Sequence, residues 1–134
     1  MQYRFIDHTA DIAFEAYGKN LEELFENCAY AFYEAFVDTS KLKDGEKKVF
    51  EVEAEDEDLM LYRFLNELLF LFETQFFAGK KIKVRIGGNR AFAEIEGGRF
   101  DRDAVKVAPK AITMHKFGIR REGDRLAAFV VVDI

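Results

Sequence analysis

Between Leu59 and Phe77 the sequence is apolar on almost every side of a helix, and no other stretch restricts the fold so strongly. Leu61, Leu65, Leu68, Phe72 and Phe76 recur at helical spacing as one stripe, and Tyr62, Phe64, Leu69 and Leu71 widen it. Arg63, Asn66, Glu67 and Thr74 leave only a narrow polar edge. A helix of this kind is buried on most sides. With Arg63, Asn66, Glu67 and Glu73 inside it, the stretch is a core helix and not a membrane span. The chain must therefore wrap its other elements around it. Four acids, Glu55–Asp58, lead into it. Carboxylates are favoured at a helix N-terminus, so Asp56 or Asp58 reads as the cap.

The other elements follow from periodicity. Residues 2–6 and 12–17 alternate as two short strands. Asn20 with Glu23 resembles a capping box, and apolar residues from Leu21 to Phe36 repeat at helical spacing, so a first helix is expected over Asn20–Val37. Lys47–Glu55 alternates as a strand. Ile82–Ile86 and Ala91–Glu96 form a hairpin about Gly87-Gly88-Asn89, and Gly97-Gly98 is expected to break it. Arg99–Lys106 reads as an irregular loop or a short strand. Lys110–Arg120 reads as one extended run. Leu126–Asp133 is nearly continuous and β-branched, the pattern of a buried strand. The order, about ββαβαββ(β)ββ, predicts an α+β fold: a mixed, mostly antiparallel sheet with two helices packed on one face. Residues 1–134 are expected to form one domain.

Composition narrows function. Aromatic residues are 15% of the chain, 15 of them Phe and none Trp, which excludes disorder and gives a phenylalanine-rich core. The net charge of −5 is not a basic nucleic-acid footprint, so strong direct nucleic-acid binding is not expected. Cys28 sits on the apolar side of the first helix and reads as a small buried hydrophobe. With no apolar leader and no spanning segment, the cytoplasm is the expected compartment.

Two regions carry concentrated polar chemistry. Asp7-His8-Thr9-Ala10-Asp11 fills the junction of the first two strands, and neither strand needs it for its core. Asp133 ends the buried last strand, where a carboxylate needs a cation. A two-residue turn at Glu122-Gly123 or Gly123-Asp124 would place Lys110, Ile112 and Met114 on the face of Phe129, Val131 and Asp133. Asp133 then meets either the Lys110 ammonium or a metal ion shared with Ile134 and another acid. Oxygen donors of this kind suit Ca²⁺ or Mg²⁺, not a closed zinc site. No metalloprotease, phosphate-loop, dinucleotide or serine-hydrolase motif is present. His8 and His115 lack a well-spaced nucleophile.

Four segments together resemble archease: Asp7-His8-Thr9-Ala10-Asp11-Ile12, Phe64-Leu65-Asn66-Glu67-Leu68-Leu69, Lys110-Ala111-Ile112-Thr113-Met114-His115, and the ending Val132-Asp133-Ile134. The resemblance runs nearly end to end. It implies a protein cofactor of the GTP-dependent tRNA-splicing RNA ligase, which joins 3′-phosphate and 5′-hydroxyl RNA ends. Such a cofactor promotes guanylylation of the ligase's active-site histidine and multiple turnover. It implies a Ca²⁺ or Mg²⁺ site at Asp11 and Asp133, with an oxygen from Ile134. It implies a role in ligase activation for Lys110, Asp7 and His8, and places Glu67 and His115 at the border of the site. Met114 stands where the family usually carries tyrosine. Two rival functions fit the residues: a small metal-dependent phosphoester hydrolase using Asp7, His8, Asp11 and Asp133, or a chaperone-like binder using exposed Phe70 and Phe77.

Overall fold

The computed structural model describes residues 1–7 and 10–134. Among these, eight strands and two long helices follow in the order β1 (Tyr3–Ile6), β2 (Asp11–Gly18), α1 (Leu21–Phe36), β3 (Lys43–Glu53), α2 (Glu57–Gln75), β4 (Phe77–Gly87), β5 (Arg90–Arg99), β6 (Ala111–Ile112), β7 (Gly118–Glu122) and β8 (Arg125–Asp133). The α+β fold is as expected, but the strands divide between two sheets. One has the order β1-β2-β8-β6 with β7 also on β8, and the other has the order β3-β5-β4. Every pairing between the named strands is antiparallel.

The helices form where their caps and stripes dictate. The Asn20 side chain accepts from the Glu23 amide at 2.9 Å, and Glu23 in turn accepts from the Lys19 amide at 3.1 Å. Asp56 caps α2 by accepting from the Leu59 amide at 2.7 Å. Phe64, Leu65 and Leu68 of α2 and Phe25, Phe32 and Phe36 of α1 are completely buried. They join inner-face residues of both sheets in one core cluster, so both sheets lean on the same two helices. Each such side chain contributes about 1.5–3 kcal/mol by leaving water.

Helix α2 ends sooner than the apolar stripe suggests. Phe76 turns left-handed, with φ 51°, and its amide donates to the Leu71 carbonyl. That turn swings Phe77 into the core as the first residue of β4 and leaves Phe76 outside the stripe. Of the two phenylalanines expected on the surface, Phe70 is exposed and Phe77 is fully buried.

Gly97 and Gly98 do not break the hairpin but continue β5 to Arg99. A Cβ on Gly98 would lie 1.4 Å from the Lys43 carbonyl oxygen, and one on Gly97 would lie 2.0 Å from that of Ala78. The two neighbouring strands close in where β5 has no side chains.

The edge of β4 is sealed by a helix. Glu22, Glu26 and Tyr30 lie one turn apart on α1, and they accept from the amides of Ile86, Val84 and Ile82 at 2.9, 2.8 and 3.0 Å. Four helical residues rise about 6 Å and two strand residues about 6.6 Å, so the two ladders match. Side chains thus replace the next strand and blunt an edge that would otherwise pair with another chain.

Candidate functional site

The site begins with the register of β2 on β8. Asp11 pairs directly with Asp133, and the pairing then runs without a slip to Gly18 and Leu126. Residues opposite one another on an antiparallel pair share a face, with Cβ atoms about 4.5–5.5 Å apart. The core-facing residues are Phe14, Ala16, Val130 and Val132, so both carboxylates belong to the face turned from the helices. Two like charges so placed oppose folding by about 0.2–1 kcal/mol. Asp133 is exposed and Asp11 is half-buried. Ala10, immediately before Asp11, holds a left-handed φ of 66°. A residue with a Cβ is strained there by about 1–2 kcal/mol, a pattern that clusters at functional sites.

Lys110 lies beside this pair by its backbone. Its amide donates to the Asp133 carbonyl at 2.7 Å. The expected uniform hairpin register does not hold, however. The turn is the two-residue Gly123-Asp124, since Glu122 pairs with Arg125. Ala111 pairs with Asp133 and Gly118 with Phe129, so seven residue steps on one side match four on the other. The surplus is taken up between β6 and β7, where Lys116 has a φ of 55° and the Phe117 amide donates to the Met114 carbonyl. This slip changes the face. Ala111, not Lys110, stands across from Asp133, and Ile112 pairs with Val132 and enters the core.

The other expected residues are more scattered. Asp7 and Asp11 share an open cleft of about 540 Å³ with Ile12, Glu34 and Lys106. Sequence reasoning did not place Glu34 or Lys106 here. Glu34 belongs to α1, and only the packing of α1 beside β1 brings it to the cleft. There the Tyr3 hydroxyl donates to Glu34, and burial together with that carboxylate pushes the phenol up to about 12. Lys106 donates to the Glu34 carbonyl at 2.8 Å. Ile134 is half-buried against the core. His115 is exposed in the β6–β7 turn, and Glu67 is half-buried on α2, in the layer behind the sheet. Among the described residues, neither forms a hydrogen bond or ion pair with Asp133, and no group of three or more His, Cys, Asp or Glu is arranged to hold a metal. His8 lies outside the described residues.

Glu15, on the outer face of β2, is fully provided with partners. It accepts from Arg4 at 2.9 Å, Arg120 at 2.8 Å and the Tyr17 hydroxyl at 3.0 Å. Burial acts to raise its pKa, but these donors outweigh it and hold the carboxyl near 2. Arg120 and Arg125 also bind Glu122, and the Arg125 guanidinium lies 3.8 Å from the Tyr17 ring centre. Cys28 is completely buried, and burial pushes its thiol far up, as expected of a core residue.

Fold and site together define a class: small two-sheet α+β proteins with a carboxylate pair at the open end of the central strands. The archease protein family matches residues 3–134, and the chain belongs to that family. Protein archease of Archaeoglobus fulgidus is 56% identical over 100% of both chains. Protein archease of Methanothermobacter thermautotrophicus is 38% identical over 98% of both. Among solved structures, protein 1598 of Methanobacterium thermoautotrophicum has a TM-score of 0.85 at 33% identity, covering 99% of each chain. An archease of Thermotoga maritima, described as a possible chaperone, has a TM-score of 0.66 at 26% identity, over 96% of this chain and 94% of that one. Among the described residues, no helix is long and apolar enough to cross a membrane.

Proposed function

We propose that this protein activates the tRNA-splicing RNA ligase, promoting guanylylation of the ligase histidine and multiple turnover. The acidic strand end would enter the ligase's active-site cleft and favour the nucleotide-accepting conformation. A partner shifts such an equilibrium only by binding one conformation better than the other. The observation that carries this reading is the register that sets Asp11 opposite Asp133. Two like charges in that arrangement gain most from a cation between them, and oxygen donors match Ca²⁺ or Mg²⁺. Asp11 and Asp133 would hold the ion, with a main-chain oxygen of Ile134 and solvent or ligase groups completing it. When bound, the ion supplies positive charge that makes the tip a rigid, polarising element. Lys110 is positioned by its own amide on Asp133, and Asp7 borders the same cleft as Asp11. His8 joins them as a residue for ligase activation by its place in the motif. The net charge of −5 suits approach to a groove built to hold RNA.

Single-turnover guanylylation of the cognate ligase tests this directly. Acceleration is expected with the wild-type protein, and its absence overturns the reading. Asp133→Ala is expected to abolish the acceleration while leaving the melting transition cooperative. Full stimulation by both Asp11→Ala and Asp133→Ala would remove the metal-bearing tip from the mechanism. A broader protein-binding role draws on exposed Phe70 and Phe76 and on the description of the Thermotoga relative as a possible chaperone. Protection of an unrelated aggregating protein, without ligase acceleration, would favour it.

A further inference from the structure

The two edges of the β3-β5-β4 sheet are finished differently. On β4 the amides of Ile82, Val84 and Ile86 turn away from β5 to the side chains of α1. In an antiparallel sheet alternate residues direct their main-chain groups to opposite sides. Lys81, Lys83 and Arg85 therefore bond to β5, where they pair with Glu96, Glu94 and Phe92. By the same alternation Ile95, Ala93 and Ala91 of β5 turn to β3, where they pair with Lys48, Phe50 and Val52. The main chain of Lys47, Val49 and Glu51 is left pointing outward. Among the described residues no strand lies beside it. All three residues are exposed, Val49 to 71%. This open window has definite ends. The register shift between Lys43 and Glu46, with Gly45 at a φ of 101°, closes one. The Arg63 guanidinium closes the other by donating to the Glu53 carbonyl.

The window is symmetric about Val49, and its charges are opposite at its two ends. A second copy laid antiparallel, with Val49 against Val49, sets Lys47 of each chain against Glu51 of the other. All three residues then meet open main chain, each pair exchanging both bonds. Sliding one copy by two residues sets Val49 against Lys47 or Glu51 and leaves one residue of each window without a partner. The outward face selects the same register. Lys81, Glu96 and Lys47 form one row across the sheet, and Glu51 of the second copy would continue its alternation of charge. The two exposed Val49 side chains would cover each other. Opposite charges facing across strands attract and like charges repel. A lysine alone on an edge discourages pairing, whereas Lys47 with Glu51 permits it in one register.

We infer that the β3 edge pairs with the β3 edge of a second copy of this chain, about a two-fold axis at Val49, joining two three-stranded sheets into one. The Asp11–Asp133 pair lies on the other sheet, so ligase activation can hold or fail without touching this edge. Sedimentation of the full chain over a range of concentrations is expected to show a monomer–dimer equilibrium. Val49→Pro removes the central donor, and proline is accepted on an edge strand where the amide faces solvent. It is expected to raise the dimer Kd about tenfold or more. Lys47→Glu places acids at both ends of the window, and Glu51→Lys places lysines at both. Each variant alone is expected to dimerise about tenfold more weakly. An equimolar mixture of the two is expected to recover the wild-type Kd, because both facing pairs are again opposite in charge. Their melts should stay cooperative, since the Lys47–Glu94 and Arg90–Glu51 ion pairs that they break are exposed. A wild type that is monomeric at its highest soluble concentration overturns the pairing. Dimers unaffected by all three variants, or a mixture that associates no more tightly than its components, overturn it as well. Loss of ligase binding in Val49→Pro, with a monomeric wild type, would assign the edge to a strand of the ligase and not to a second copy.

Discussion

Asp11 and Glu15 stand four residues apart on one face of β2, yet the charges set against them differ in sign. Glu15 has two guanidinium groups and a phenol around it, and across from it on β8 is Phe129. Asp11 has another carboxylate across from it. A third arrangement appears on α1, where Glu22 and Glu26 are used to terminate the amides of β4. Glu15, Glu22 and Glu26 thus act as acceptors that support structure. At the open end of β2 and β8 the fold sets two carboxylates opposite one another, and like charges so placed repel. The difference lies in the charge that each acid meets: two guanidinium groups at Glu15, and a like charge across the Asp11–Asp133 pair.

That contrast can be broken by a divalent ion. At one hundred times its dissociation constant, Ca²⁺ or Mg²⁺ is expected to stabilise the wild-type protein by about 2.7 kcal/mol. Glu15→Gln should retain this stabilisation and Asp133→Asn should lose it, as read by thermal melts with and without the ion. An equal response in both variants would erase the distinction.

The next effect belongs to Glu15. Its folded pKa near 2 lies below its ordinary value of 4.5, so its stabilising contribution is complete above about pH 4.5 and disappears as pH falls through about 2. Solvent on Arg4 and Arg120 screens the interaction, which leaves about 2 kcal/mol. Urea melts across this range should show that loss, and Glu15→Gln should flatten it.

A smaller effect, about 1.5 kcal/mol, is expected from Glu26→Ala, which leaves the Val84 amide without its acceptor. Burial pushes the Glu26 carboxyl up, the Val84 amide pulls it down, and Glu22 and Glu23 add to the rise. The measurement is the urea midpoint, together with dimer or aggregate formation through the newly open β4 edge. The smallest effect has the opposite sign. In metal-free buffer, Asp133→Asn is expected to stabilise the protein by about 0.5 kcal/mol, because it removes one of two opposed charges. Destabilisation of that size or more would mean that Asp133 supports the fold as Glu15 does.

Much of the fold was legible where local chemistry decides. Asn20 and Asp56 cap the two helices because short oxygen-bearing side chains suit that geometry, and the stripes of α1 and α2 face the core as their spacing requires. The assignment of strands to two sheets was not legible, because period-two alternation says which residues share a face and not which strand lies alongside. Gly97-Gly98 reads as a break and is instead a place where strands crowd together, a distinction that exists only once β3 and β4 are in position.

By itself, the sequence determined the α+β class, the helix starts, the buried Cys28 and the acids that end the central strands. Each depends on neighbours a few residues away or on simple periodicity. Tertiary structure alone decided that Asp11 meets Asp133 directly and that Lys110 reaches them by its amide while Ala111 takes the facing position. It alone sealed β4 with the side chains of α1 and turned Phe76, not Phe77, outward. The physical reason is register: a turn that takes up surplus residues between β6 and β7 changes which side chains share a face, and nothing local to Lys110 or Asp133 encodes that slip.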